Sequence, residues 1–206
     1  MNYSTKYTFP LFESVCVKDG LIQHANYHEN RFNVAFQRYF KKEASYTLFD
    51  GIEIPSTFTN GIVKLRISYG EHTKDWKFSN YSKKPIKTLQ LVEHKNIEYD
   101  LKFEDRSQLQ SLYQKRNLCD DILLLKNGFV TDTSYCNIIF YDGKVWYTPH
   151  SYLLNGTCRQ RLIDAGIVKT ANITSKNLHS YKGFQVINAM LDFCETEINP
   201  ISNIKL

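Results

Sequence analysis

The chain has 206 residues, enough for one large domain or two small ones with a substantial core, and a modest formal charge of +5. Lysines and arginines are scattered without a dense basic run, which argues against nucleic-acid binding. No stretch is apolar enough to span a bilayer, and "MNYSTKYTFP" lacks the apolar segment of a signal peptide. The five cysteines (Cys16, Cys119, Cys136, Cys158 and Cys194) are odd in number and include no CxxC pair. They suggest neither a disulfide framework nor a zinc knuckle, but reduced thiols in the cytoplasm. No metal is expected. His24 and His28 are four apart but have no third ligand nearby, and both read as surface histidines.

In chain order, "LFESVCVK" at 11–18 reads as a strand and Asp19–Gly20 as a hairpin turn. In "HENRFNVAFQRYFKK", Phe32, Ala35, Phe36, Tyr39 and Phe40 recur at helical spacing, with Arg31 in the first turn. Residues 61–69 alternate, with Val63, Leu65, Ile67 and Tyr69 on one face and Lys64, Arg66 and Ser68 on the other. "SNYSKKP" at 79–85 is polar, ends in proline and reads as a linker. Beyond it, "IKTLQLVEH" opens a second strand-rich set, and Ile97, Tyr99 and Leu101 alternate along a further strand with Lys102 on its other face. "EDRSQLQSLYQKRN" reads as a helix. Residues 121–125, 136–141 and 145–148 read as strands, with "TDTSYCN" as an intervening loop. "NGTCRQRLIDAG" is a helix that Thr157 can cap and Gly166 stops, "ITSKNLHSY" a short capped helix, and "FQVINAML" a last buried strand. The pattern predicts an α+β protein of two lobes, 1–80 and 85–206.

Four features could carry chemistry. Gly156 directly before a helix start leaves backbone N–H groups for an anion, or the helix is plainly capped. Arg31 gains nothing from the dipole where it sits; it could grip a phosphate or be a solvated charge. Lys102 at the end of a strand could be a desolvated nucleophile or an exposed lysine in a charged loop. Asp132, if buried, needs a cationic or hydrogen-bonding partner, for which a pyridinium N–H or an arginine would serve; turn formation is the other role open to it. Together these are the parts that pyridoxal 5′-phosphate requires.

The order Lys102, helix, "DDILLLKNGFVTDTSYCNIIFYDGKVWYTP", "LLNGTCRQRL", preceded by "FESVCVKDG" and the His28-to-Arg31 "H-x-x-R" helix start, resembles the class IV aminotransferases. These fold-type IV pyridoxal-phosphate enzymes include branched-chain and D-amino-acid aminotransferases and 4-amino-4-deoxychorismate lyases. The likeness runs from about residue 11 to the end, and "NAML" at 188–191 is similar to the "NALM" of the lyases. The resemblance implies a D-amino-acid aminotransferase-like α+β fold of two lobes, the larger carrying Lys102. Lys102 would hold the cofactor covalently and move the substrate proton, and Asp132 would hold the ring nitrogen. Arg31, Gly156, Thr157 and Cys158 would hold the phosphate, and Ala189 and Met190 would line the substrate side. It also implies a small amino-acid-like substrate and a homodimer. Asp132 stands where the family has Glu, and the spacing from Lys102 to Asp132 is slightly short. The amino-terminal strand pair before "FES" is missing, so the first lobe is shortened. Tyr69 stands where several members carry a carboxylate-binding arginine, a role Lys64 or Arg66 could take. The resemblance thus implies an aminotransferase-type enzyme acting on an amino acid or other amine-bearing acid. The alternatives are a 4-amino-4-deoxychorismate lyase and a member that binds cofactor or a partner without turnover.

Overall fold

Strands β1 (Leu11–Lys18) and β3 (Ile62–Tyr69) pair antiparallel along their full length, in the order β2-β1-β3-β4 with β2 (Leu21–Ile22) and β4 (Lys74–Asn80) at the edges. The tight turn from β1 to β2 uses Asp19 and Gly20, both at positive φ, as a primed hairpin turn requires. Helix α1 (Ala25–Phe40) buries Phe32, Ala35 and Phe36, the stripe expected from its period, against Val15, Val63, Leu65, Ile67 and Tyr69. The helix ends at Lys41, which turns left-handed and donates its N–H to the Gln37 carbonyl.

These elements form the first of two units in the computed structural model, which describes residues 7–205. The first unit comprises 7–83 and the short segment Leu101–Asp105; the second comprises 84–100 and 106–205. The division departs from the expected lobes at that segment, which includes Lys102. Backbone bonds explain the change. Phe12 donates to the Lys102 carbonyl at 3.0 Å, Glu104 donates to the Pro10 carbonyl at 2.8 Å, and Leu101 and Phe103 pack into the first core.

The second unit has two sheets. One is ordered β13-β5-β6-β7, from β5 (Leu89–Glu93), β6 (Asp121–Lys126), β7 (Phe129–Thr133) and β13 (Ile204–Lys205). The other is ordered β10-β9-β8-β11-β12, from β8 (Asn137–Tyr141), β9 (Trp146–Pro149), β10 (Val168–Ala171), β11 (Gly183–Ile187) and β12 (Asn199–Pro200). Leu123, Leu125 and Val130 of the first sheet and Ile138, Phe140, Phe184 and Val186 of the second share one core. Helix α3 (Thr157–Asp164) packs through Cys158 and Leu162 on Ile139, Trp146 and Ile187. Strand β8 is therefore apolar on both faces. Helix α2 (Ser107–Tyr113) lies where expected, continued by a 3-10 turn.

Three local expectations change. Ile97, Tyr99 and Leu101 are buried as their alternation predicts, yet no strand forms there. Asp132 lies inside β7, not in a loop. The last buried strand stops at Ile187, and residues 188–191 form a turn closed by the Asn188 side chain, whose Oδ1 accepts from Met190 and Leu191 N–H.

Candidate functional site

In the first unit, Glu13 follows the phase of Leu11, Val15 and Val17 and is therefore carried into the core, where it is fully buried. A buried carboxylate needs charged or hydrogen-bonding partners. Helix α1 supplies them from one turn. Arg31 donates Nε to Glu13 Oε1 at 2.8 Å and Nη2 to Oε2 at 2.5 Å, and His28 Nδ1 lies 2.7 Å from Oε2. Burial pushes the Glu13 carboxyl up, but the Arg31 charge and the hydrogen bonds from His28 and Arg31 outweigh it and hold the group down to about 2. Burial lowers His28 despite its acidic neighbour. The imidazole is then neutral at pH 7, and Nδ1 must carry the proton it gives to Glu13. His28 is thus not the surface histidine expected, and one edge of the Arg31 guanidinium is spent on Glu13. Tyr69 lies on the same inner face, fully buried with its ring centroid 4.9 Å from that of Phe32 and its hydroxyl without a hydrogen-bond partner among the described residues. It is a core residue, on the opposite face of β3 from Arg66.

That other face brings Lys102 and Arg66 together. Phe12 lies opposite Ser68 and Ser14 opposite Arg66 in the β1–β3 register. The half-buried Lys102 sits beside Phe12, its Nζ 4.7 Å from the ring centroid. The Arg66 guanidinium stacks on the same ring at 3.6 Å, and its Nη2 donates to Glu104 at 2.5 Å.

In the second unit, Asp132 is buried and strand-borne. Its Oδ2 accepts from the backbone N–H of Leu153 and Leu154 at 3.0 and 2.9 Å, and its Oδ1 accepts from Asn137 Nδ2 at 2.8 Å. All three donors are neutral. Burial therefore dominates and raises the carboxyl to about 6, against the hydrogen bonds and the more distant Arg159 charge. A carboxylate has about four acceptor positions. Oδ1 retains one, suited to a cationic N–H.

Asn137 extends the set, since its Nδ2 also donates to the Leu154 carbonyl at 2.9 Å. It explains Gly156, where a Cβ would lie 1.8 Å from Asn137 Oδ1. Gly156, not Thr157, is the N-cap of α3, and it brings no side-chain cap to the first-turn N–H groups. Arg159, one turn on, is nearly fully buried. It donates to Asn155 Oδ1 and the Pro149 carbonyl and stacks on Tyr152 at 4.2 Å. Cys158 is buried and pushed up to about 12 by burial and the neighbouring Asp192, which makes its thiol inert. In the 188–191 turn Met190 is buried and Ala189 half-buried, with Asn188 Nδ2 3.1 Å from Cys136 Sγ.

Sequence reasoning missed Glu13, Asn137 and Arg159. Only Glu13 had a visible signal, a charge in the apolar phase of a strand. Among the described residues no helix is long and apolar enough to cross a membrane, and no cluster of three His, Cys, Asp or Glu could hold a metal ion.

The amino-transferase class IV family profile matches residues 71–204. An uncharacterized protein of Haemophilus influenzae is 38% identical over 184 residues, covering 88% of this chain and 98% of its own. A Haemophilus somnus crystal structure provisionally named a 4-amino-4-deoxychorismate lyase is 28% identical, with a TM-score of 0.81, covering 91% of this chain and 99% of that one. The branched-chain amino acid aminotransferase of Escherichia coli shares the fold at 13% identity, with a TM-score of 0.69, over 97% of this chain and 77% of its own. On the sequence matches and the shared α+β fold, the chain belongs to the class IV amino-transferase family.

Proposed function

We propose that the protein is a pyridoxal 5′-phosphate enzyme acting on an amine-bearing carboxylic acid. The observation that carries this reading is Asp132, a buried acid with three neutral donors and one acceptor position left, an environment that a protonated ring nitrogen would complete. The other residues fit the same group. The N–H groups of Thr157 and Cys158, at an α3 start capped by Gly156, suit a phosphate. Arg31, with one edge fixed on Glu13, adds positive charge.

Bound pyridoxal phosphate supplies an aldehyde that captures an amine and a ring that withdraws electrons from the substrate α-carbon. Asp132 holds the proton on the ring nitrogen. Lys102 would hold the cofactor through its amine, and that amine would move a proton to or from the substrate α-carbon. Ala189 and Met190 line the substrate side. The same reading makes the protein a cytoplasmic homodimer, and all five cysteines are thiols, which fits a reducing compartment.

A second reading, release of pyruvate and 4-aminobenzoate from 4-amino-4-deoxychorismate, is supported by "NAML" at 188–191 and by the Haemophilus somnus relative. The test is spectroscopic. Wild-type protein titrated with pyridoxal phosphate gains a near-ultraviolet to visible band that Lys102→Ala lacks. A wild-type protein that stays colourless refutes the reading. Keto acid formed from an amino-acid panel, or 4-aminobenzoate formed from aminodeoxychorismate, then separates transfer from elimination, and a coloured protein inactive in both assays is the non-catalytic member.

A further inference from the structure

The face of the first sheet turned away from α1 carries Lys64, Arg66 and Ser68 from β3, Phe12 and Ser14 from β1, and Lys102 beside Phe12. Arg66 and Lys102 both lie over the Phe12 ring, at 3.6 and 4.7 Å from its centroid. Their cationic centres are therefore no farther apart than those two distances combined. A guanidinium held over an aromatic ring beside an amine is pre-positioned to receive a carboxylate whose neighbouring carbon bears nitrogen.

Arg66 already has a carboxylate. Its Nη2 donates to Glu104 Oε2, two residues beyond Lys102, and this is its one hydrogen bond among the described residues. Both side chains are 31% exposed, so the pair is in reach of solvent. The Glu104 backbone is fixed separately, through its N–H on Pro10, so the side chain can leave without unravelling the segment.

We propose that Glu104 is an internal stand-in for the substrate carboxylate. The acid group of the substrate takes Arg66 in a two-pronged pairing, and Glu104 yields it and turns to water. The inference rests on the reading of Lys102 given above and deepens it. Exchanging one carboxylate for another leaves Arg66 paired throughout, so no desolvated charge is stranded. A neutral ligand has no such exchange to offer, because it would break the Arg66–Glu104 pair without replacing it. Glu104 thereby filters for acids, selectivity gained by penalising the wrong ligand.

Two measurements test this. In cofactor-free protein, acetate shifts the Arg66 side-chain nitrogen resonances in an NMR titration and acetamide does not. Glu104→Gln lowers the acetate concentration needed and lets acetamide compete. In pyridoxal-phosphate-loaded protein, D- or L-alanine perturbs the absorbance band at lower concentration than its amide. Arg66→Gln weakens the acid by roughly 10- to 100-fold, the worth of a charge-assisted hydrogen bond, and leaves the amide unmoved. Tryptophan fluorescence, from Trp76 and Trp146 together, reports whether each variant is folded. The inference is overturned if acetate leaves Arg66 undisturbed, or if the preference for acid over amide survives in Arg66→Gln or is unchanged in Glu104→Gln. The acetate experiment stands even if no band forms with pyridoxal phosphate, an outcome that sinks the reading of Lys102 on its own.

Discussion

Replacing Glu13 by Gln tests the buried cluster from both ends of the pH scale. The folded-state carboxyl lies at about 2, down from its ordinary 4.5, because Arg31 and His28 favour the ionised form beyond the cost of burial. A depressed carboxyl contributes stability that is whole above pH ~4.5 and is lost as pH falls towards ~2. The size of the depression makes that contribution about 3 kcal/mol. Glu13→Gln lacks it, and near pH 7 it also leaves Arg31 without its counter-charge, a loss of about 3–5 kcal/mol for a broken buried pair. The chain has two tryptophans, Trp76 in the first unit and Trp146 in the second. In a Trp146→Phe background, Trp76 fluorescence during urea unfolding then reports the first unit alone. Wild type should lose about 3 kcal/mol between pH ~5 and ~2.5 while the variant, less stable at neutral pH, loses much less. A variant with the same acid limb as wild type would refute the assignment of that limb to Glu13.

Asp132 should behave oppositely. Burial raises it from 3.8 to about 6, so the folded state holds the proton more tightly than the unfolded chain. Without cofactor the second unit, followed by Trp146 in a Trp76→Phe background, should lose about 2 kcal/mol as pH rises from ~4 to ~6. Asp132→Asn should flatten that decline, and a decline that persists in it would show another group responsible. Pyridoxal phosphate should remove it in the wild type. Gly156→Ala forces a methyl onto Asn137 Oδ1, at 1.8 Å, and should lower stability by about 1–3 kcal/mol. Paired with Asn137→Ala, its cost should shrink in a double-mutant cycle, whereas strict additivity would mean the strain lies elsewhere.

The elements with a strong period were legible in the sequence. The Phe32, Ala35, Phe36 stripe on α1 and the alternation of β3 needed no tertiary information. Strand β7 is hard to see because Thr131, Asp132 and Thr133 are polar, although Asn127–Gly128 just before it is among the strongest hairpin signals, and both residues do adopt positive φ. The 97–101 stretch shows the reverse error. Its apolar alternation reflects burial, but among the described residues no neighbouring strand pairs with it along its length. Strand β4 has only Trp76 and Phe78 on its core-side face, flanked by Lys74 and Asn80, too short an alternation to read as a strand. In the site, residue types were visible and partners were not. The donors to Asp132 come from Asn137, Leu153 and Leu154, and the acid on Arg31 from a strand eighteen residues upstream, pairings that only the folded chain brings together.

Because Leu101–Asp105 lies with the first unit while the residues on either side of it lie with the second, the polypeptide crosses over at three points along its length. No single cut in the gene yields both halves intact. A fragment ending at residue 83 would forfeit Leu101 and Phe103 from its interior along with Lys102, and the complementary fragment would carry five residues foreign to it. Recombination between relatives that breaks at the apparent linker would therefore separate Lys102 from the ring it rests on.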